Sequence, residues 1–118
     1  MQIRDLRKSE QLDRTFAALA NPTRRAIIAR LAEKPATVKE LAEPFDMTMQ
    51  AVSNHVKVLQ RAGLIARGSH AQFRPCALDT SALKVAISWT DQCRQTWEAG
   101  FARMSAQIRE MKEPDNEQ

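Results

Sequence analysis

Residues 47–78 read MTMQAVSNHVKVLQRAGLIARGSHAQFRPCAL, and the stretch contains no aspartate or glutamate. The 118-residue chain has 14 acids, so about four would fall there by chance. The stretch does hold Lys57, Arg61, Arg67 and Arg74, and both histidines of the chain, His55 and His70. Charge of one sign, inside a chain of mixed charge elsewhere, is the electrostatic footprint of a nucleic-acid contact. The segment also predicts a helix with both ends marked. The Thr48 hydroxyl can accept a free N–H of the first turn, and Gly63 suits the left-handed residue that closes a helix. At 100° per residue, Val52, Val56 and Leu59 share one face, and Gln50, Ser53, Asn54, Lys57 and Arg61 share the opposite one. Glutamine, serine, asparagine, lysine and arginine are the side chains that read base edges and phosphates. The same face in isolation is equally an ordinary solvated surface, so the flanking elements have to decide.

Upstream, Lys34-Pro35-Ala36 reads as a loop and Thr37-Val38-Lys39-Glu40 as a capping box opening a short helix, with Val38, Leu41 and Phe45 inward and Pro44 near its end. A short helix, a turn at Phe45-Asp46-Met47 and a polar-faced helix make a helix-turn-helix over 37–62. Downstream of Gly63 the hydrophobic period changes. Leu64–Arg67 and Gln72–Leu78 read as two short strands around Gly68-Ser69-His70-Ala71, with Pro75 confined to an edge because it cannot donate to a ladder. A hairpin over 64–78 straight after such a helix is a wing.

Two helices precede this unit. Leu12, Phe16 and Leu19 recur at helical spacing and predict a first helix that buries this side. Residues 1–8 are either a frayed arm or its extension. The first helix stops at Asn21-Pro22, where Asn21 can cap a second helix over about residues 22–33 with Pro22 in its first turn, burying Ile27, Ile28 and Leu31. Arg24, Arg25 and Arg30 are expected to face solvent for the most part. The final helix, over 80–111, places Leu83, Ala86, Trp89, Cys93, Trp97, Phe101, Met104, Ile108 and Met111 in one broad apolar stripe. About 30 helical residues extend roughly 45 Å, more than a domain of this size covers. A second copy of the chain is therefore expected on the stripe, with Leu12 and Phe16 contributing; a shorter helix bent at Gly100 is the alternative. Residues 113–118 form a polar tail.

Composition is that of one folded domain over residues 1–118, with 43% hydrophobic and 27% charged residues and a net charge of +4. The predicted fold class is mainly α with a small β-hairpin. No apolar run is long enough to span a bilayer and no signal-peptide pattern opens the chain, so a cytoplasmic protein without a membrane partner is expected. Two cysteines, Cys76 and Cys93, make neither a disulfide framework nor a zinc set. No Ser-His-Asp order, Gly-rich phosphate loop or paired carboxylates can be placed on one site, which excludes catalytic residues and cofactors from the reading.

The order of elements, together with Leu19-Ala20-Asn21-Pro22-Thr23-Arg24-Arg25-Ala26-Ile27-Ile28 and Ala51-Val52-Ser53-Asn54-His55-Val56-Lys57-Val58-Leu59 through Ala62-Gly63-Leu64-Ile65, resembles the ArsR/SmtB family of winged helix-turn-helix repressors. The resemblance covers roughly residues 12–108. It implies a homodimer on a palindromic operator, with the recognition helix in the major groove and the wing tip near the minor groove. It also implies that Ser53 and His55 join the DNA contacts. His55 lies off the polar arc, so a hydrogen bond within the turn is its other reading. The chain departs from the family's metal sensors: Ala42 and Pro44 stand where paired thiols would be, and the last helix carries Asp91 but no histidine, so neither metal site can form.

The leading expectation is thus a metal-independent repressor that contacts an inverted-repeat DNA operator through Gln50, Ser53, Asn54, His55, Lys57, Arg61, Arg67, His70 and Arg74. It dimerises through Leu12, Phe16, Trp89, Trp97, Phe101, Met104 and Ile108. A thiol-based redox or electrophile sensor using Cys76, Cys93 or both is the second reading, with Cys76 expected to be the more exposed. A winged-helix protein-interaction module is the third, and the acid-free surface weighs against it. The operator, the regulated gene and any inducer are not legible in the chain.

Overall fold

Helix α1 (Ile3–Leu19) is followed by α2 (Pro22–Leu31), α3 (Val38–Ala42), α4 (Met49–Arg61), strands β1 (Ile65–Arg67) and β2 (Cys76–Leu78), and α5 (Thr80–Lys112). The computed structural model describes residues 3–68 and 74–112. Two units divide the chain, one ending at Ala86 and one beginning at Ile87. Residues 3–8 are an extension of the first helix and not a frayed arm.

The core of the first unit gathers Ile27 and Leu31 of α2, Leu41 of α3, Val52, Val56 and Leu59 of α4, then Leu64, Ile65 and Cys76. Each α4 residue expected inward is fully buried. Helix α1 differs from expectation. It buries Thr15 and Ala18, whereas Leu12 and Leu19 are half-buried and Phe16 is 39% exposed. The inward side is the row Gln11, Thr15 and Ala18, rotated about 100° from Leu12–Phe16. Small or polar side chains suit a close approach to the end of α4: Gln11 Nε2 donates to the Ala62 carbonyl at 3.0 Å. Thr15 satisfies its buried hydroxyl by donating to the Gln11 carbonyl at 2.9 Å.

Local chemistry fixes the helix ends. Asn21 Oδ1 accepts from the Arg24 N–H at 3.1 Å, with Pro22 in the first turn of α2. Thr37 and Glu40 form the reciprocal capping box of α3, and Thr48 Oγ1 accepts from the Ala51 N–H at 3.1 Å to open α4. At its other end, the Gly63 N–H donates to the Gln60 carbonyl and the Leu64 N–H to the Leu59 carbonyl. That pair, with Gly63 at φ +78°, is a Schellman closure.

The wing is shorter than expected and less isolated. Strands β1 and β2 pair antiparallel, with Ile65 opposite Leu78, Ala66 opposite Ala77 and Arg67 opposite Cys76. Leu64 is not a strand residue: its N–H closes α4 and its carbonyl accepts from the Asp79 N–H at 2.9 Å. Pro75 lies one residue before β2 and lends only its carbonyl, to the Gly68 N–H at 3.0 Å. Residues 69–71 of the expected turn, His70 among them, and Gln72 and Phe73 of the expected second strand fall outside the described residues. Ala36, expected in a loop, exchanges both main-chain hydrogen bonds with Cys76, at 3.0 and 2.7 Å. Cys76 is thereby held from both sides.

In the second unit, helix α5 continues without a break through Gly100 to Lys112, so the bent alternative does not apply. Trp97, Phe101, Met104, Ile108 and Met111 are half or more exposed and fall within about 80° of helix azimuth. Beside them runs an ionic row: Arg94 meets Asp91 at 2.8 Å and Glu98 at 3.2 Å. Both acids hold the Arg94 guanidinium above its ordinary pKa, Asp91 with the larger effect.

Candidate nucleic-acid interface

Helix α4 presents Gln50, Asn54, Lys57 and Arg61 exposed, with Ser53 and His55 half-buried. With Val52, Val56 and Leu59 anchored in the core, this face is fixed in azimuth, and no acid stands in the first turn. Gln50 Nε2 donates to Asn54 Oδ1 at 3.1 Å. The pair is aligned one turn apart, leaving the Gln50 carbonyl oxygen as acceptor and the Asn54 amide as donor, the two functions that recognise an adenine edge.

The base of the wing meets the start of this helix. A cleft of about 360 Å³ is lined by Thr37, Lys39, Met49, Arg67 and Arg74, among others. The structure therefore brings Arg67 and Arg74 together with the N-terminal ends of α3 and α4, which sequence spacing alone did not show. Arg67 Nε is buried without a hydrogen-bond partner among the described residues. Glu40, the acid at this cleft, is committed to the capping box. The Thr37 N–H and hydroxyl hold its carboxyl below the usual range, with smaller help from Arg30 and Lys34. His70 lies outside the described residues.

Two assignments change. Arg24, expected mostly in solvent, is half-buried and bonded on three sides. Its guanidinium donates to the Ala18 carbonyl and, at 3.2 Å, to the Ala17 carbonyl, and lies 3.3 Å from His55 Nδ1. Arg25 donates to the Leu19 carbonyl at 2.8 Å. The two arginines thus close the last turn of α1, whose carbonyls lack partners within the helix. A guanidinium has no lone pair to offer, so His55 accepts at Nδ1 and carries its proton on Nε2. This favours a bonded, orienting role for His55, between α2 and α4. No pattern in the sequence pairs residues 24 and 55; the doubled arginine after a capped proline was the available signal.

The second change concerns sulfur. Cys76 is fully buried and not exposed, because main-chain pairing on both edges seals it into the core. Burial pushes its thiol above the ordinary pKa, partly offset by Arg67. Cys93 is the more accessible of the two. Among the described residues no three His, Cys, Asp or Glu gather where they could hold a metal ion, and no helix is long and apolar enough to cross a membrane.

A capped, acid-free helix behind a short helix and turn, followed by a paired hairpin, defines a winged helix-turn-helix protein of the nucleic-acid-binding class. Comparison with known proteins narrows the class. Residues 19–67 match a family described as a helix-turn-helix domain. The chain is 37% identical over 92 residues to the HTH-type transcriptional regulator Rv2034 of Mycobacterium tuberculosis, covering 78% of this chain and 86% of that protein. It is 31% identical over 78 residues to the transcriptional repressor SdpR of Bacillus subtilis, 66% of this chain and 87% of the relative. The crystal structure of an ArsR family transcriptional regulator, RHA00566, superposes with a TM-score of 0.72 at 39% identity, covering 76% of this chain and 93% of that one. The chain belongs to the ArsR family of winged helix-turn-helix transcriptional regulators, and it is a regulator and not an enzyme.

Proposed function

We propose that the protein is a cytoplasmic, metal-independent repressor that binds double-stranded DNA as a homodimer at an inverted-repeat operator. One observation carries the reading: α4, closed at both ends, offers an exposed face with no acid, and two wing arginines line a cleft together with its first residue. Gln50, Ser53 and Asn54 occupy the first two turns, the end that enters the major groove in such proteins, and Lys57 and Arg61 continue toward the backbone. Arg67 and Arg74 serve as phosphate or minor-groove anchors, and His70, outside the described residues, is assigned to the same DNA contacts. Residues 1–118 act as one winged helix-turn-helix domain whose helix over 80–111 dimerises. Repression is supported by the name of the Bacillus subtilis relative, at 31% identity. Dimerisation is supported by the exposed stripe Trp97, Phe101, Met104 and Ile108; the same reading assigns Trp89, and Leu12 and Phe16 of α1, to contacts with the second copy. The buried Cys76 weighs against the thiol-sensing alternative.

Fluorescence anisotropy against operator and scrambled duplexes over a salt series tests this. Asn54→Ala should cost about 1–3 kcal/mol on the operator and little on scrambled DNA. Arg67→Ala should weaken both and lower the magnitude of the log–log salt slope by about one for each phosphate that Arg67 neutralises. Zinc, cadmium and arsenite should change neither affinity. Equal losses on both DNAs for Asn54→Ala, with a pure change of preference for Arg67→Ala, would reverse the roles.

A further inference from the structure

On the first unit, away from the wing, α1, α2 and α4 enclose a second cleft of about 360 Å³. Its apolar lining is Ala17 and the buried Ala18 of α1 with Val58 and Ala62 at the end of α4, and Arg14, Arg24 and Arg61 complete it. The volume lies at the lower end of the range for small-molecule sites. Charge and shape here ask for a particular ligand. Three arginines line one concavity, and no lining residue is acidic. Glu10, the carboxylate that pairs with one of them, meets Arg14 at 3.9 Å on an exposed surface, where such a pair contributes little. The Arg61 side chain makes no hydrogen bond or ion pair with a described residue. Arg24 spends one N–H on each of the Ala17 and Ala18 carbonyls and one on His55, which leaves two of its five donors unused. Short side chains in the apolar lining leave that space open.

We infer that this cleft binds a small amphipathic organic anion, with its apolar body on the Ala17–Val58–Ala62 lining and its carboxylate among the three arginines, and that the ligand acts on the recognition helix through Arg24. The guanidinium that would turn toward the carboxylate is the one that orients His55 on α4, and Val58 and Arg61 belong to the same helix. A ligand that draws Arg24 from His55 binds the DNA-competent arrangement less well, so it lowers operator affinity, and operator DNA lowers ligand affinity by the same factor. The regulatory half of this inference rests on the DNA-binding reading above; the site itself does not.

Phenylacetate is the probe, with phenylacetamide as its uncharged counterpart and inorganic phosphate as an anion without an apolar body. Titrations into the DNA-free protein, followed by amide resonances of residues 17, 58 and 62, should saturate for phenylacetate. They should be at least tenfold weaker for the other two compounds. Arg14→Gln should weaken phenylacetate several-fold, and Ala17→Leu, which fills the apolar part of the cleft without changing charge, should abolish the response while both variants keep operator affinity. Phenylacetate should lower wild-type operator affinity at least threefold. Equal binding of the amide, equal binding of phosphate, unchanged titration of Ala17→Leu, or no saturable shift would overturn the site. Saturable binding with constant operator affinity would overturn its action on α4. A DNA-free protein that binds phenylacetate but never an operator would count against the proposed function and leave the site standing.

Discussion

Replacing Arg24 with alanine removes the residue that ties the end of α1 to the middle of α4. Two of its three hydrogen bonds, to the Ala18 carbonyl and His55, are partly buried, and the third, to Ala17, is exposed. The losses are unequal. The Ala17 carbonyl still accepts from the Ala20 N–H at 3.3 Å, and His55 regains water. The Ala18 carbonyl belongs to a residue 1% exposed, and stranding it incurs most of the desolvation penalty of a buried acceptor. Discounting the exposed bond, the sum is about 2 kcal/mol. At roughly 4 °C per kcal/mol for a chain of this size, the midpoint of thermal unfolding should fall by about 8 °C. Arg24→Lys, whose single ammonium reaches one of the three acceptors, should recover only part of that. The assay is far-ultraviolet circular dichroism without DNA, at one fixed protein concentration, since self-association of the kind proposed would make the midpoint concentration-dependent. If Arg24→Ala moved the midpoint by less than about 2 °C and lost only salt-dependent DNA affinity, Arg24 would be a phosphate anchor, and its role as a staple would be refuted.

Phe101→Glu puts a charge on the exposed stripe of α5 and should shift the protein from dimer to monomer at micromolar concentration; sedimentation equilibrium showing an unchanged dimer would remove the stripe from the interface. Gly63→Ala should destabilise by about 1 kcal/mol, read as a lower urea midpoint at constant slope. Its new methyl would sit 3.5 Å from Gln11 Nε2 and 3.7 Å from Ala82 Cβ, so the cost comes from backbone conformation and not from collision. In the Phe101→Glu protein, where the stripe that holds Cys93 is uncovered, iodoacetamide should modify Cys93 well before Cys76, by mass spectrometry; equal rates in the folded protein would contradict the burial of Cys76. Because burial raises the Cys76 pKa, its contribution is full below the ordinary thiol value and is lost as pH rises through the folded one, so Cys76→Ala should flatten the alkaline fall in stability. Asp79 Oδ1 accepts from the Ser81 N–H at 3.0 Å, which holds the Asp79 carboxyl below its usual range. Its contribution is present above the ordinary carboxyl pKa and lost as pH falls through the folded one. The gap in urea midpoint between wild type and Asp79→Ala should therefore close on acidification, and a pH-independent gap would dismiss the charged cap.

What the sequence disclosed and what it hid divide along a physical line. Thr48, Gly63, Asn21-Pro22 and the Thr37–Glu40 pair were legible because caps act over three or four residues, and the α4 core face was legible because one helix period sets it. Ala36 was read as loop because its partner Cys76 lies 40 positions away and a single bridge leaves no period. The same bridge buries Cys76, so one long-range pairing inverted the expected order of cysteine exposure. Leu12 and Phe16 gave a convincing stripe on α1, yet Gln11, Thr15 and Ala18 face inward, because close packing on α4 selects for small volume and a hydrogen bond over hydrophobicity. The arginines show the limit most plainly. As charges, Arg24 and Arg61 look alike in a sequence. In the fold, Arg24 holds three acceptors and orients a histidine, whereas the Arg61 side chain lines a cleft with no partner among the described residues. Side-chain role in this chain is therefore decided by which backbone carbonyls and which concavities lie within reach, and those are set by helix packing across 30 to 50 residues of sequence.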